Sequence, residues 1–282
     1  MALVSQPSQD DNDCLLVARM DNSRVLASIL KAISFREKAT CFISSNGLKM
    51  TVEQAKCVQA SAFIQSSLFR QFQYSPDYPS VFVISLSALI ECLSIFGPTA
   101  PDAHTALKMS YAGKGHPLSL LLEEGGVLTD CQLTTQDAEE TLDFDFVSAN
   151  VVAKLIMAAE CLREAFSELD MTSEVVEVMM TPDPPHFRPH FRLTTFGYAG
   201  TTQIDHPKDS EMVEVFECQK STVNRYKLSL LRSCTKALSH ASKISLRVDH
   251  RGFLSLQCMI IPENKQVCFV EFLCVPDEDM DS

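Results

Sequence analysis

CFISSNGLKMTVEQAKCVQASAF, residues 41–63, sets the reading of the whole chain. Asn46-Gly47 sits between two short runs in which apolar residues alternate, the strongest short-range signal for a β-hairpin. A third strand-like run, CVQASAF, follows. Upstream, NSRVLASILKAISF (22–35) has helical spacing: Val25, Ile29 and Ile33 share one face, and Arg24, Ser28 and Lys31 share the other. CLLVARM, a strand-like segment, precedes that helix. The local arrangement is therefore β-α-β-β-β.

The same order recurs. Further helical runs are expected from Leu86 (LSALIECLSIF), Ala149 (ANVVAKLIMAAECL) and Leu228 (LSLLRSCTKAL). The strand-like segments VFVIS, LDFDFV and NRYKL precede them, and turns rich in glycine or proline follow: AGKGHP (112–117), TPDPP (181–185) and DHRG (249–252). Third strands such as VLTDCQLTT and VCFVEFLC complete the units. Four copies at this period mark a repeat architecture. The expectation is an α+β chain of two similar domains, each made of two β-α-β-β-β units. A flexible start at 1–13 leads into a first domain at 14–133. The polar, acidic stretch TTQDAEET supplies a connector at 134–141, a second domain covers 142–276, and an acidic tail ends the chain at 277–282. Antiparallel sheets of this kind end in edges with unpaired backbone groups, which invite another chain.

Composition narrows the classes. The 282 residues, 46% apolar and 21% charged, suit a soluble globular protein with room for two cores. The start lacks the basic and apolar regions of a signal peptide, and no apolar run reaches the length of a membrane span. Eleven cysteines, an odd number without a Cys-x-x-Cys pair, fit small core residues in a reducing compartment. A net charge of −12 speaks against a simple nucleic-acid binder, which carries a surplus of Lys and Arg.

The four-unit pattern, the CFISSNGLKMTV hairpin and the ending FVEFLCVPDEDM resemble the eukaryotic sliding clamps typified by proliferating cell nuclear antigen. EQAKCVQASAFIQ, CLSIFG, LREAFSELDMTSEV and DFDF are similar to the DNA-damage checkpoint branch of that family, the ring called nine-one-one. The resemblance implies a sliding-clamp fold with helices on the inner face and antiparallel sheets outside. It implies a heterotrimer with Rad-nine and Hus-one type subunits, placed on duplex DNA at damage sites by a clamp loader. It further implies nuclear localisation, no cofactor, no metal, no catalytic residue and DNA contact without sequence specificity. HFRPHFR (186–192) departs from the family pattern as a short tandem repeat that lengthens a hairpin loop.

If the helices line a ring, their polar stripes carry the DNA-facing residues: Arg24 and Lys31 on the first helix, Lys154 on the third, Arg232 and Lys236 on the fourth. The second helix offers Ser87, Glu91 and Ser94 instead. Five cations against one acid, within an acidic chain, suit loose contact with a phosphate backbone. A merely solvated helix face would look the same. The resemblance also implies an outer groove for segments of repair proteins near the connector. Val58, Phe63, Met259, Phe269, Leu273 and Pro276 are its expected lining.

Two rivals come from other classes. A metal-dependent 3′-5′ exonuclease would need converging carboxylates, and Asp143 with Asp145, or Glu123 with Glu124, are the candidates. Asp143 and Asp145 alternate with Leu142, Phe144 and Phe146, which reads as a half-exposed strand. His186 and His190 flank Pro189, a context unlike helical zinc spacing, and no Walker loop, dinucleotide fingerprint or nucleophile elbow is present. The other rival, a β-rich interaction module that never encircles DNA, predicts the same fold without the ring.

Overall fold

The computed structural model describes residue 11 and residues 13–75, 80–97, 104–138, 140–182, 190–198, 200–262 and 266–277. HFRPHFR falls largely outside these, as do most of the two terminal segments. The chain forms two compact units. The first takes the described residues up to Val52, then Ser61–Thr141 and Pro262–Cys268; the second takes Glu53–Ala60, Leu142–Ile261 and the residues from Phe269 on.

The elements of the first half are β1 (Leu16–Met20), α1 (Ser23–Ala32), β2 (Lys38–Ser44), β3 (Gly47–Gln54), β4 (Val58–Gln65) and β5 (Gln71–Tyr74). They are followed by β6 (Val81–Ser85), α2 (Leu86–Leu93), β7 (Ala106–Tyr111), β8 (Leu118–Glu124), β9 (Val127–Leu133) and the two-residue β10 (Gln136–Asp137). One sheet has the order β5-β1-β7-β8-β9, and a second run has the order β10-β6-β2-β3-β4. The hairpin at Asn46-Gly47 forms in the register its alternation requires, with Ser44 opposite Gly47 and Cys41 opposite Met50. Asn22 caps α1 by accepting from the Arg24 amide at 3.1 Å, and the Ser85 hydroxyl caps α2 at the Ala88 amide. The core is apolar: Leu26 and Leu30 of α1, Leu89 of α2, and Leu16, Met50 and Ile84 of the strands close round a void of about 10 Å³.

The second half begins with β11 (Val151–Ala158), α3 (Ala159–Glu168), β12 (Val175–Met180), β13 (His190–Gly197), β14 (Gly200–Pro207) and β15 (Val213–Cys218). It ends with β16 (Thr222–Lys227), α4 (Leu228–Leu231), a 3-10 turn at Arg232–Cys234, α5 (Thr235–His240), β17 (Ala241–Asp249), β18 (Leu254–Ile260) and β19 (Cys268–Cys274). Strands run β14-β13-β12-β16 in one sheet and β19-β18-β17-β11-β15 in another. The quartet of β-α-β-β-β units is thus present, and the fold is the α+β sliding-clamp fold.

Three expectations need correction. ANVVAKLIMAAECL is not one helix: its first half is β11, paired with β15 and β17, and the helix starts only at Ala159. Val151, Leu155 and Ala159 are four apart, and four is both nearly one helical turn and two strand repeats, so apolar spacing alone fits either. LDFDFV is not the strand before that helix. It is irregular, with the Asp143 carboxylate accepting from the Asp145 amide at 2.9 Å and Asp145 at φ 44°. Arg251 donates to the carbonyls of Phe144 (3.0 Å) and Asp145 (2.9 Å), and the buried Phe144 meets Phe253 edge-on. The fourth helix is interrupted by its 3-10 turn.

The eleven cysteines form no disulfide, and five are buried. Burial pushes the thiols of Cys41, Cys258 and Cys274 up to about 12, so they pack as small apolar groups.

His206 on β14 gives the fold a pH dependence. Its ring lies on Phe191 (5.7 Å between centroids), and its Nε2 is buried without a hydrogen-bond partner among the described residues. Burial lowers its pKa below 6.5, against a smaller opposite pull from Asp205. The neutral ring is therefore favoured in the folded state. Its contribution is full above about pH 6.5, where the unfolded residue is also neutral, and declines as pH falls toward the depressed folded value. Between pH 7.5 and 5.5 the native protein is expected to lose more urea resistance than His206→Gln. An equal loss in both would remove His206 from the account.

Candidate nucleic-acid and client-binding surfaces

Helix α1 presents the stripe its sequence implies. Val25, Ile29 and Ile33 are buried, Lys31 is exposed, and Arg24 and Ser28 are half-buried. Lys31 lies in the last turn, where a cation complements the helix dipole. Arg24 is engaged within its own unit: it donates to the Gly97 carbonyl at 3.2 Å and lies 3.5 Å from Glu124, a carboxylate that also accepts from Thr105. On α2, Ser87 and Glu91 are exposed and Ser94 is half-buried.

In the second unit the interrupted fourth helix exposes Arg232 and Lys236 while Cys234, Ala237 and Leu238 are buried. The third helix differs from expectation. The exposed side of α3 carries Glu160, Glu164 and Glu168 against the single cation Arg163, which is paired with Glu160 at 3.0 Å. No basic stripe exists there.

Lys154 departs most clearly from the place expected of a DNA-facing residue. On β11, Ala153, Leu155 and Met157 point to the core, so Lys154 lies on the opposite sheet face and on no helix. There it joins a row of charges across the strands. Lys154 is opposite Glu217 of β15 and Arg247 of β17 in register, with 3.9 Å to the Glu217 carboxylate. Arg247 reaches Glu271 of β19 at 2.7 Å, and the Ser255 hydroxyl donates to the same carboxylate at 2.7 Å. The Phe146 ring lies 5.6 Å from the Arg247 guanidinium. The row balances its own charge. Arg247 and Glu271 carry a signal in the sequence: each is a polar residue alternating with apolar ones in a strand-like run.

The expected groove residues divide by strand parity. Val58, Ala60, Ala62 and Ile64 share the core face of β4, and Val58 is buried. Val58 therefore leaves the set: five positions separate it from Phe63, an odd number, which puts the two on opposite faces. Phe63, on the first unit, is half-buried on the outer face. Met259, Phe269, Leu273 and Pro276, on the second, are half-buried too. Phe269 and Leu273 share the outer face of β19, since Cys268, Val270, Phe272 and Cys274 fill the core.

The stretch TTQDAEET contains β10, which pairs with β6; Lys38 donates to the Gln136 side chain at 3.0 Å, and Lys114 pairs with Asp137 at 2.9 Å. Asp143 and Asp145 do not share a strand face. Among the described residues no group of three or more His, Cys, Asp or Glu side chains is placed to hold a metal ion. None of their helices is long and apolar enough to cross a membrane. Open edges are present: β9 exposes Val127 and Leu128, and β14 ends the other unit's four-stranded sheet.

Known proteins share this chain's sequence over most of its length. Residues 15–260 match the family model described as Repair protein Rad1/Rec1/Rad17. The human cell cycle checkpoint protein RAD1 is 56% identical over 282 residues, covering 99% of this chain and 98% of that protein. The mouse protein of the same name is 55% identical over 282 residues, covering 99% of each. The DNA repair exonuclease REC1 of Mycosarcoma maydis is 26% identical over 220 residues, covering 61% of this chain and 48% of that protein.

Proposed function

We propose, from the premise that this chain belongs to the Repair protein Rad1/Rec1/Rad17 family and is a checkpoint clamp subunit, that it forms one arc of a closed ring around duplex DNA. Rad-nine and Hus-one type subunits supply the other arcs, and a clamp loader closes the ring at damage sites in the nucleus. The observation that carries this reading is the fourfold β-α-β-β-β repeat ending in unpaired sheet edges. A subunit with strands such as β9 and β14 left open completes its hydrogen bonding by joining neighbours edge to edge, and a closed ring uses each edge once.

The clamp domains of this arc are 14–133 and 142–276. Lys31, Arg232 and Lys236, with Arg24, meet the phosphate backbone without reading its sequence. The acidic side of α3 limits this subunit to a modest share of the contact. Phe63, Met259, Phe269, Leu273 and Pro276 receive segments of repair proteins on the outer faces. The protein works as a tether and does no chemistry. A relative named as an exonuclease is the reason to measure this directly, by incubating the chain with end-labelled duplex and Mg²⁺ or Mn²⁺.

The deciding experiment is co-expression with the two candidate partners, followed by mass measurement and loading onto nicked circular DNA. A one-to-one-to-one complex is expected, retained on the circle and released when the circle is cut. A complex that stays equally on linear DNA, or a chain that assembles with neither partner, overturns the ring.

A further inference from the structure

We propose that the outer face of the first unit carries a docking strip for an acidic, apolar segment of a partner protein, centred on Lys49. The inference rests on the reading that the outer sheet faces receive client segments, and it names the chemistry one of them selects. In register, Val81 of β6 is opposite Phe42 of β2, and Phe42 is opposite Lys49 of β3. The Lys49 ammonium lies 5.6 Å from the centre of the Phe42 ring and 5.7 Å from that of Phe63 on β4. Four neighbouring strands thus present apolar, aromatic, cationic and aromatic side chains in one line.

None of these side chains serves the core. Cys41, Ile43, Leu48, Met50 and Ile64 fill the opposite face, while Phe42, Lys49 and Phe63 are half-buried and Val81 is 38% exposed. Among the described residues Lys49 has no carboxylate partner within ion-pair distance. That sets it apart from Lys154 and Arg247, whose row on the other unit is balanced by Glu217 and Glu271. An ammonium held between two rings is partly stripped of water and fixed in place. Both effects strengthen attraction to a carboxylate and reduce the ordering cost of meeting one. β3 is hydrogen-bonded to strands on both sides, so the partner docks by side chains and does not add a strand. An apolar side chain over Phe42 and Val81, with a carboxylate on Lys49, satisfies the strip.

One cation set between two rings can pair a single carboxylate beside apolar side chains but not a run of phosphates, which favours a peptide over nucleic acid. The test pans a random peptide library displayed on phage against the complete chain, then measures the enriched peptides by fluorescence anisotropy. Peptides pairing Asp or Glu with an aliphatic or aromatic residue are expected. Their binding should weaken about tenfold in Lys49→Gln and in Phe42→Ala, and stay unchanged in Lys154→Gln, which lies on the other unit beside Glu217. Thermal melts of each variant check folding, and Lys49→Arg should retain binding. Peptides without carboxylates, binding indifferent to Lys49→Gln, or no enrichment at all would overturn the strip. So would Lys49-dependent binding of a labelled oligothymidine. Peptides that need Met259 and Phe269 but ignore Lys49 would sink this proposal and leave the client-groove reading standing; loss of both dependences would sink both.

Discussion

Gly47→Ala is expected to remove about 4 kcal/mol from the stability of this protein, a large loss for a change of one methyl group. Gly47 has φ +132°, a backbone conformation that side-chain-bearing residues rarely adopt. A Cβ there would lie 2.1 Å from the Ile64 carbonyl oxygen, 2.7 Å from the Ser66 nitrogen and 2.9 Å from the Gln65 carbonyl carbon. All three are backbone atoms of β4 and the turn after it. They cannot retreat without loosening the bond from the Ser66 amide to the Asn46 carbonyl, 2.8 Å long. Gly126, at φ +84° with nothing within 4 Å of an added Cβ, supplies the control. Its replacement by alanine carries the conformational cost alone, about 1–2 kcal/mol. Urea denaturation of the three proteins measures both. A loss at Gly47 no greater than at Gly126 would mean that the close approach between the hairpin turn and β4 is absent in solution.

Replacing Lys31, Arg232 and Lys236 together by glutamate is expected to weaken duplex binding by the assembled ring by roughly two orders of magnitude at 0.1 M salt. Replacing the same three by glutamine should flatten the log–log salt dependence by roughly 2.7, about 0.9 for each phosphate no longer neutralised. These side chains are exposed on helices, so folding should be unaffected. Lys154→Glu is the internal control, because Lys154 sits on a sheet face beside Glu217 and Arg247. It should leave both affinity and slope unchanged. Fluorescence anisotropy on a short labelled duplex across a salt series reads each quantity. If Lys154→Glu weakens binding and the triple variant does not, the sheet face and not the helix stripe meets DNA.

The contrast between Lys154 and Lys31 shows how far residue patterns reach. On α1 the apolar stripe and the basic stripe are separated by 3.6-residue periodicity, which no strand imitates over ten residues, and both stripes stand where the pattern puts them. Around Lys154 the informative apolar residues are spaced by four, a number shared by helix and strand. The cross-strand partners that resolve the choice, Glu217 and Arg247, lie far away in the chain. Val58 is ambiguous for a different reason. Its character suits a groove as well as a core, and only counting parity from Phe63 separates them. Lys49 gives no signal in the sequence because its two aromatic neighbours belong to two other strands, and their registers bring the three together.

Local chemistry by itself determined the order of elements in nearly every unit. Asn-Gly and Gly-rich turns, N-capping Asn22 and Ser85, and alternating apolar runs act over a few residues, and a short segment contains all the information they need. Tertiary structure decided which face of each strand is wet, where the third helix begins, and which charges are already spent on one another. Those outcomes depend on residues brought together from distant parts of the chain. Their free energies arise only when water is excluded between them, a condition that no single segment can meet.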